Sequence, residues 1–263
     1  MNKTEKELAF LRGIYVEPEY TAKFTELFNE GIVVEGYSTI TYINAGAGGH
    51  AIEIRDKLGK DVDVFPVCED GELREIAQKK AETVQSGVDF STAAPMARSE
   101  MVIADASLLA PSSVEAFLAE AAERTSGKFV FFLPTSGSFG EVFSYLWEVL
   151  LELGLEEKGP AVEELITGIA TVRQAEEAAL GLRLTKVESI TKTEELEYES
   201  GESFLESPLV RYFLLPNWLG FLAEDERGRV MERLAAKIDE DRNEMSFRFA
   251  VKATVVSGER GGD

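Results

Sequence analysis

The stretch that decides the fold is Ile40–His50, ITYINAGAGGH. A β-branched run passes directly into Gly46, Gly48 and Gly49, and an apolar helical pattern follows as far as Leu58. Glycine permits positive φ and lets the backbone approach a ligand closely. The amides at the start of the next helix can bind an anion or a polar group. The stretch therefore predicts a strand, a turn and a helix, and the turn is either a ligand loop or only a tight turn.

Strands and helices alternate through the first 155 residues. Short apolar or β-branched runs predict strands at 38–43, 62–67, 88–90, 101–105 and 128–133. Amphipathic segments lie between most of these runs and predict helices, two of them opened by capping boxes, Ser112 with Glu115 and Ser138 with Glu141. Continuous apolar strands that alternate with helices are typical of a parallel sheet covered on both faces. Ligands of such sheets bind beyond the carboxyl ends of the strands.

The pattern changes after about residue 155. A helical stretch at about 161–180 is followed by two alternating segments, 182–198 and 245–257, that flank an aromatic-rich helical stretch at 201–242. Alternation over this length is typical of half-exposed strands. We expect an antiparallel strand pair at the sheet edge, with the helical stretch lying over the sheet as a cap.

These patterns predict an α/β fold with one domain over residues 1–263. It is a three-layer αβα sandwich with a Rossmann-like, mostly parallel sheet, a C-terminal antiparallel strand pair and a helical cap insertion. Its predicted parts are a helical lead-in at 1–35, a cofactor-binding core at 36–155, a helical connection at 156–181, and C-terminal strands at 182–263 with the cap at about 200–242.

Composition narrows the classes of function. The net charge is −21, from 27 basic and 48 acidic residues, and such a surface repels nucleic-acid phosphates. One cysteine and one histidine are too few for a zinc site of thiolates and imidazoles, and we predict no metal ligands, although a carboxylate site stays open. No apolar run is long enough to insert into a membrane, and the N-terminus carries charges where a signal peptide is apolar. We therefore expect a cytoplasmic protein.

Acidic residues follow the glycine loop at an informative distance. Cys68 lies 20 residues after Gly48, and Glu69 comes next, at the end of the second predicted strand. An acid at this position holds the ribose hydroxyls of nucleotide-type cofactors, because a carboxylate accepts two hydrogen bonds from a diol.

The segment from Thr41 to Glu82 resembles the first half of a class I S-adenosylmethionine-dependent methyltransferase. That family has an acid at the end of the first strand, a Gly-x-Gly-x-Gly loop, a second strand that ends in an acid, and closing antiparallel strands. The resemblance places the first acid on Tyr42, the first glycine on Asn44, and the remaining loop on Ala45, Gly46 and Gly48. Asn44 tolerates left-handed backbone better than most residues.

The same resemblance assigns further residues to the site. It implies a ribose contact from Cys68 in strict register or from Glu69 one residue later, and an adenine contact from Phe90. It places Asp105, at the end of a strand, near the methionine part of the cofactor or the substrate, and Asp105 is also the one weak catalytic candidate. In the predicted cap, Tyr212 and Trp218 would close over a small molecule.

Three interpretations follow. A dinucleotide dehydrogenase is a rival, since Gly46, Gly48 and Ala51 satisfy its loop pattern, but the closing antiparallel strands favour the methyltransferase pattern. The first hypothesis is methyl transfer from S-adenosylmethionine to a small-molecule acceptor. The second is a catalytically degenerate methyltransferase fold that serves as a binding or structural subunit with a protein partner, because Tyr42, Asn44 and Cys68 depart from the family pattern.

Overall fold

The computed structural model describes residues 3–59, 61–92, 97–241 and 246–261. Two residues at the edges of predicted segments, Arg242 and Met245, lie outside these ranges. The chain divides into two compact units. The first comprises Met1–Leu133, Val172–Thr191 and Ala253–Asp263, and the second comprises Pro134–Thr171 and Lys192–Lys252.

Six strands form one sheet. They are β1 Thr39–Ile43, β2 Asp63–Val67, β3 Ser99–Asp105, β4 Thr125–Thr135, β5 Leu184–Tyr198 and β6 Phe247–Arg260, in the spatial order β2-β1-β3-β4-β6-β5. Strands β2, β1, β3 and β4 are parallel neighbours. Strand β6 is antiparallel to β5, because Thr185 contacts Glu259 while Thr191 contacts Thr254. The predicted Rossmann-like, mostly parallel sheet with a C-terminal antiparallel pair is confirmed.

Helices of the first unit cover both faces of its strands. They are α1 Glu5–Leu11, a π-helix Arg12–Thr21, α2 Ala22–Gly31, α3 Gly49–Leu58, α4 Gly71–Val84, α5 Pro111–Ala122 and α8 Val172–Gly181. On β4, Phe129 and Phe131 pack with α5 and α8, whereas the Phe132 ring stacks on Phe24 of α2. Successive strand residues point to opposite faces, so the continuous apolar run supplies both cores.

The helices of the second unit pack around an aromatic cluster. They are α6 Gly140–Glu152, a 3₁₀ turn Glu156–Lys158, α7 Gly159–Gly168, α9 Gly201–Glu206, a π-helix Val210–Leu214, α10 Leu215–Trp218 and α11 Glu224–Asp241. The cluster contains Phe139, Phe143, Trp218, Phe204 and Phe249. None of the helices in the described residues combines the length and apolarity that a membrane crossing requires.

The predicted strand at 88–90 is wrong. The backbone N–H of Phe90 donates to the Gln78 side chain at 2.8 Å instead of to a strand. The following residues form a tight turn, in which Asp89 accepts hydrogen bonds from the backbone and hydroxyl of Ser91 at 2.8 and 2.6 Å. An aspartate that bonds the backbone two residues on offers the chain an alternative to sheet pairing. The two apolar residues of this segment, Val88 and Phe90, are too few to favour sheet pairing over this turn.

Both predicted capping boxes are also wrong. Helix α5 begins at Pro111, whose fixed φ and missing N–H suit a first helical position, so Ser112 already lies inside the helix. Helix α6 begins at Gly140 after Phe139, which is left-handed at φ 63°. The Ser138 hydroxyl donates to the Thr135 carbonyl at 2.7 Å instead of capping the helix.

Candidate functional site

The loop between β1 and α3 has left-handed backbone at alternating positions. The φ angles are 59° at Asn44, 58° at Gly46 and 80° at Gly48. Asparagine adopts this region more readily than other residues with side chains, since its short amide can bond locally. The Asn44 side chain donates to the carbonyl of Asp105 at 3.0 Å, which ties the loop to the end of β3. The asparagine therefore preserves the loop conformation and adds an anchor.

Gly46 and Gly48 are required for different reasons. A Cβ atom on Gly48 would overlap the ring of Phe90 and lie 2.8 Å from Cβ of Ala77. A Cβ atom on Gly46 would lie 2.5 Å from Oε1 of Glu17 and 3.5 Å from the Arg12 guanidinium. Gly48 thus makes room for core packing, whereas Gly46 makes room for two charged side chains from the N-terminal helices.

Glu69, and not Cys68, reaches the glycine loop. The Glu69 carboxylate accepts the backbone N–H of Gly46 at 3.1 Å and forms an ion pair with Arg12. Cys68 instead packs against a small apolar cluster that includes Ala9 and Ala47. Burial raises the pKa of the Cys68 thiol to about 12, with Glu69 adding to the effect, so the thiol stays protonated at neutral pH.

The N-terminal π-helix supplies two charged residues that the sequence interpretation did not include. The Glu17 carboxylate accepts the backbone N–H of Ala47 and lies 3.5 Å from Nζ of Lys80. The Arg12 side chain is buried and pairs with Glu69. Burial opposes the charge of Arg12, but Glu69, Asp105 and Glu17 outweigh that cost and raise the pKa of the guanidinium.

A signal for Arg12 does exist in the sequence. Ala9, Arg12, Val16 and Tyr20 recur at helical spacing, and all four are buried. A charged residue within the apolar face of a helix is a candidate functional residue, because burying a charge costs free energy unless it is paired.

Asp105 is a buried carboxylate at the end of β3, with 4% of its surface exposed. Its Oδ1 accepts the backbone N–H of Ser107 at 2.8 Å, and the Tyr20 hydroxyl donates to the Ser107 carbonyl at 2.9 Å. Burial raises the pKa of Asp105 to about 6, and nearby Arg12 opposes this rise. Asp105 is therefore ionised at neutral pH but titrates within the range in which most enzymes are assayed.

Tyr42 begins a chain of hydrogen bonds that crosses to α2. The Asn29 amide nitrogen donates to Glu53 at 2.9 Å, so its oxygen accepts from Nε2 of His50 at 3.3 Å. Nδ1 of His50 is then the acceptor, and the Tyr42 hydroxyl donates to it at 3.0 Å. Burial lowers the pKa of His50 to about 3, with Lys57 contributing, so the imidazole is neutral. This neutral imidazole is a structural acceptor and not a general base.

A cavity of about 280 Å³ opens beside the loop, lined among others by Arg12, Thr21, Tyr42, Ala45, Gly46 and Asp105. Three buried polar atoms in and beside this region have no hydrogen-bond partner among the described residues: Nε of Arg12, Oγ1 of Thr21 and Oγ of Ser107. Unpartnered buried polar atoms are rare in native proteins, and their concentration in one place marks a site for a polar ligand.

The remaining predicted site residues are Phe90, Tyr212 and Trp218. Phe90 is buried against Gly48. Trp218 belongs to the second unit, where its ring centroid lies 5.1 Å from Phe139 and 5.6 Å from Phe143. Tyr212 is in the same unit, and the guanidinium of Arg211 lies 5.7 Å from its ring centroid. A substrate-capping role for Tyr212 and Trp218 stays a prediction.

Solved structures with the same architecture identify the fold. The YcgJ protein from Bacillus subtilis superposes with a TM-score of 0.56 at 14% identity, over 92% of this chain and 99% of that one. A methyltransferase from Thiobacillus denitrificans, solved with S-adenosylhomocysteine, gives a TM-score of 0.55 at 11% identity, over 99% and 100% of the two chains. This is the class I S-adenosylmethionine-dependent methyltransferase fold.

A third structure extends the comparison. A phosphoethanolamine methyltransferase from Haemonchus contortus gives a TM-score of 0.53 at 11% identity, over 98% of this chain and 59% of that one. No protein-family model matches the chain, and no curated protein matches its sequence. The methyltransferase fold that the glycine loop predicted is confirmed, and at such low identity the likeness concerns the fold.

Proposed function

We propose that this chain binds S-adenosylmethionine at the glycine loop and transfers its methyl group to a small-molecule acceptor. One observation carries the proposal: unpartnered polar atoms of Arg12 and Thr21 lie in the lining of the cavity that Gly46 and Asp105 also line, and the unpartnered Ser107 hydroxyl is two residues from Asp105. A guanidinium and hydroxyls suit a carboxylate, and the Asp105 carboxylate suits an ammonium group. The donor set therefore fits the amino-acid end of this cofactor.

Other residues fit the nucleoside end. The Glu69 carboxylate accepts the backbone N–H of Gly46 and, in this proposal, would also accept hydrogen bonds from the ribose hydroxyls. Tyr42, Asn44, Ala45 and Gly48 shape the loop, while an adenine contact from Phe90 and a ribose contact from Cys68 stay predictions. The cofactor supplies a methyl group activated on a sulfonium sulfur, so the protein's task is to hold the acceptor close and aligned.

The charges of the site also support a cationic ligand. The Asp105 carboxylate lines the cavity, and the Glu69 carboxylate accepts the backbone N–H of Gly46. A carboxylate in a partly buried site stabilises a positively charged sulfonium compound more than a neutral one. In this proposal Asp105 is the polar group nearest to the acceptor, and its role is to position that molecule.

The nature of the acceptor and the location follow from composition. A net charge of −21 disfavours nucleic-acid substrates, so a small molecule is the acceptor we propose. A single cysteine suits a reducing compartment, so we place the protein in the cytoplasm.

A second candidate is a binding or structural subunit that has lost the activity. Two contacts favour it: the Glu17 carboxylate accepts the Ala47 amide, and Arg12 pairs with Glu69. In both, a group that could bind a cofactor is bonded to another residue of the chain. Such a protein would use the fold to present a surface to a protein partner and would bind no cofactor.

Calorimetric titration with S-adenosylhomocysteine separates the two candidates. If the first is correct, the protein binds in the micromolar range, and Glu69→Gln weakens binding by about tenfold to a hundredfold, the value of a charge-assisted hydrogen bond. Glu75→Gln is the matched control, since Glu75 is exposed on α4 and pairs only with Lys79 at 3.4 Å among the described residues. Absence of heat at millimolar ligand would establish the second candidate. Titration with NAD⁺ tests the dehydrogenase alternative.

A further inference from the structure

Glu17 occupies the place on the glycine loop where a ligand would bind. Its carboxylate accepts the N–H of Ala47, and Oε2 lies 3.3 Å from the position of a Cβ on Gly49, the first residue of α3. Amides at a helix N-terminus bind anions, because they lack partners within the helix and lie at the positive end of its dipole. The chain thus fills this position with an anion of its own.

The π-helical form of Arg12–Thr21 places the two charged residues together. The N–H of Ala22 bonds to the carbonyl of Glu17, five residues earlier, as in a π-helix. With this periodicity, residues five apart lie on the same side, which is the spacing of Arg12 and Glu17. π-Helical turns are uncommon and are found frequently at functional sites.

A close approach of backbones brings this helix to the loop. A Cβ atom on Gly13 would lie 3.0 Å from Cβ of Ala47, so glycine is what lets the helix lie directly on the loop. Lys80 of α4 pairs with Glu17 at 3.5 Å from the other side. The segment is therefore held against the loop by one tight packing contact and by charged groups.

The buried charged groups of Glu17 and Arg12 lack part of the pairing that would stabilise them. Burial raises the pKa of Glu17 despite Lys80, the Ala47 amide and Arg12. Nε of Arg12 has no partner among the described residues although the side chain is buried. Buried charged groups that lack full pairing carry a free-energy cost, and a ligand that supplies the missing partner recovers it.

We propose that Glu17 is a built-in occupant of the cofactor site and that its side chain is a gate that a ligand must displace. Entry of the ligand moves the Glu17 carboxylate off the Ala47 amide, and the unpartnered Nε of Arg12 is then a donor for the ligand. This inference rests on the proposed function and adds a regulatory step to it: a change that moves the Glu17 carboxylate off the Ala47 amide raises cofactor affinity.

Two substitutions at one position test the gate. Glu17→Gln removes the charge and keeps the shape, and Glu17→Ala removes the contact. We expect both to bind S-adenosylhomocysteine at least about tenfold more tightly than the wild type by calorimetry, because a competing charge-assisted hydrogen bond is lost. Without ligand, hydrogen exchange at the Ala47 amide becomes faster in Glu17→Ala.

The matched control is Glu53→Gln, which removes one charge from the lining of the same cavity. Glu53 accepts a hydrogen bond from the Asn29 side chain at 2.9 Å and not from a loop amide. Equal tightening in Glu53→Gln, or unchanged or weaker binding in the Glu17 variants, overturns the gate while leaving the proposed function intact. Absence of binding in the wild type and in every variant overturns both.

Discussion

Tyr42 and His50 meet edge to face, with ring centroids 5.5 Å apart and the Tyr42 hydroxyl 3.0 Å from Nδ1 of His50. Tyr42 stands where the family has an acid, and it binds an uncharged ring from the helix after the glycine loop. The hydroxyl can donate in this direction only to a neutral imidazole, because both nitrogens of a protonated ring carry hydrogen. This pair makes the loop region sensitive to acid.

The first prediction concerns stability against pH. The folded pKa of His50, about 3, lies below its unfolded value of 6.5, so the unfolded chain takes up the proton first as the pH falls. The neutral His50 therefore contributes fully to the free energy of unfolding above pH 6.5. This contribution falls toward pH 3, at up to about 1.4 kcal/mol per pH unit. Urea unfolding between pH 4 and 8 should show a steeper dependence in the wild type than in His50→Gln. If the free energy of unfolding depends on pH equally in the two proteins, the prediction is wrong.

The second prediction concerns Gly48. In Gly48→Ala the new methyl overlaps Phe90 and the backbone stays left-handed at φ 80°. We expect a loss of about 2–5 kcal/mol in the free energy of unfolding, the sum of overpacking and of the left-handed conformation. Gly154→Ala is the control, because Gly154 has φ 69° and open space around its Cβ position. We expect Gly154→Ala to lower the free energy of unfolding by about 1–2 kcal/mol, which is the cost of the left-handed conformation alone.

The third prediction separates two roles of Asn44. Asn44→Gly keeps the left-handed conformation at φ 59° and loses the hydrogen bond to the Asp105 carbonyl. Asn44→Ala loses both. We expect losses in the free energy of unfolding of about 1 kcal/mol for glycine and of about 2–3 kcal/mol for alanine, measured by urea unfolding. The reverse order would mean that the conformation is not what selects asparagine here.

The fourth prediction concerns Asp105 and ligand charge. Because its carboxylate titrates at a pKa of about 6, the site gains a negative charge as the pH rises through that value. Affinity for S-adenosylmethionine should therefore rise between pH 5 and 7, by about tenfold if the new charge contributes roughly 1.4 kcal/mol. Calorimetry on Asp105→Asn should show a flat profile over this range. A wild-type profile without this rise would remove Asp105 from the site.

Much of the fold could be predicted from local pattern, and the exceptions share a cause. The apolar run at Met101–Asp105 and the run at Phe129–Leu133 form strands as expected. Val88–Phe90 does not, because the Asp89 turn and the Gln78 side chain offer its backbone other partners. Short segments have too few pairing positions for pattern alone to decide.

The candidate site divides in the same way. Spacing narrowed the proposed ribose contact only to Cys68 or Glu69, since one residue of register turns a side chain to the opposite face. The end of β2 at Val67 leaves the choice to the loop that follows, and there Glu69 contacts the Gly46 amide.

The sequence by itself determined the glycine loop, the alternation of strands and helices, and an asparagine suited to left-handed backbone, because these depend on neighbours along the chain. Only the tertiary structure decided what lies on the loop. Glu17 is 30 residues from Ala47, and Arg12 is 57 residues from Glu69. Such pairs form because Gly13 lets one helix pack on a distant turn, and no local pattern encodes that contact.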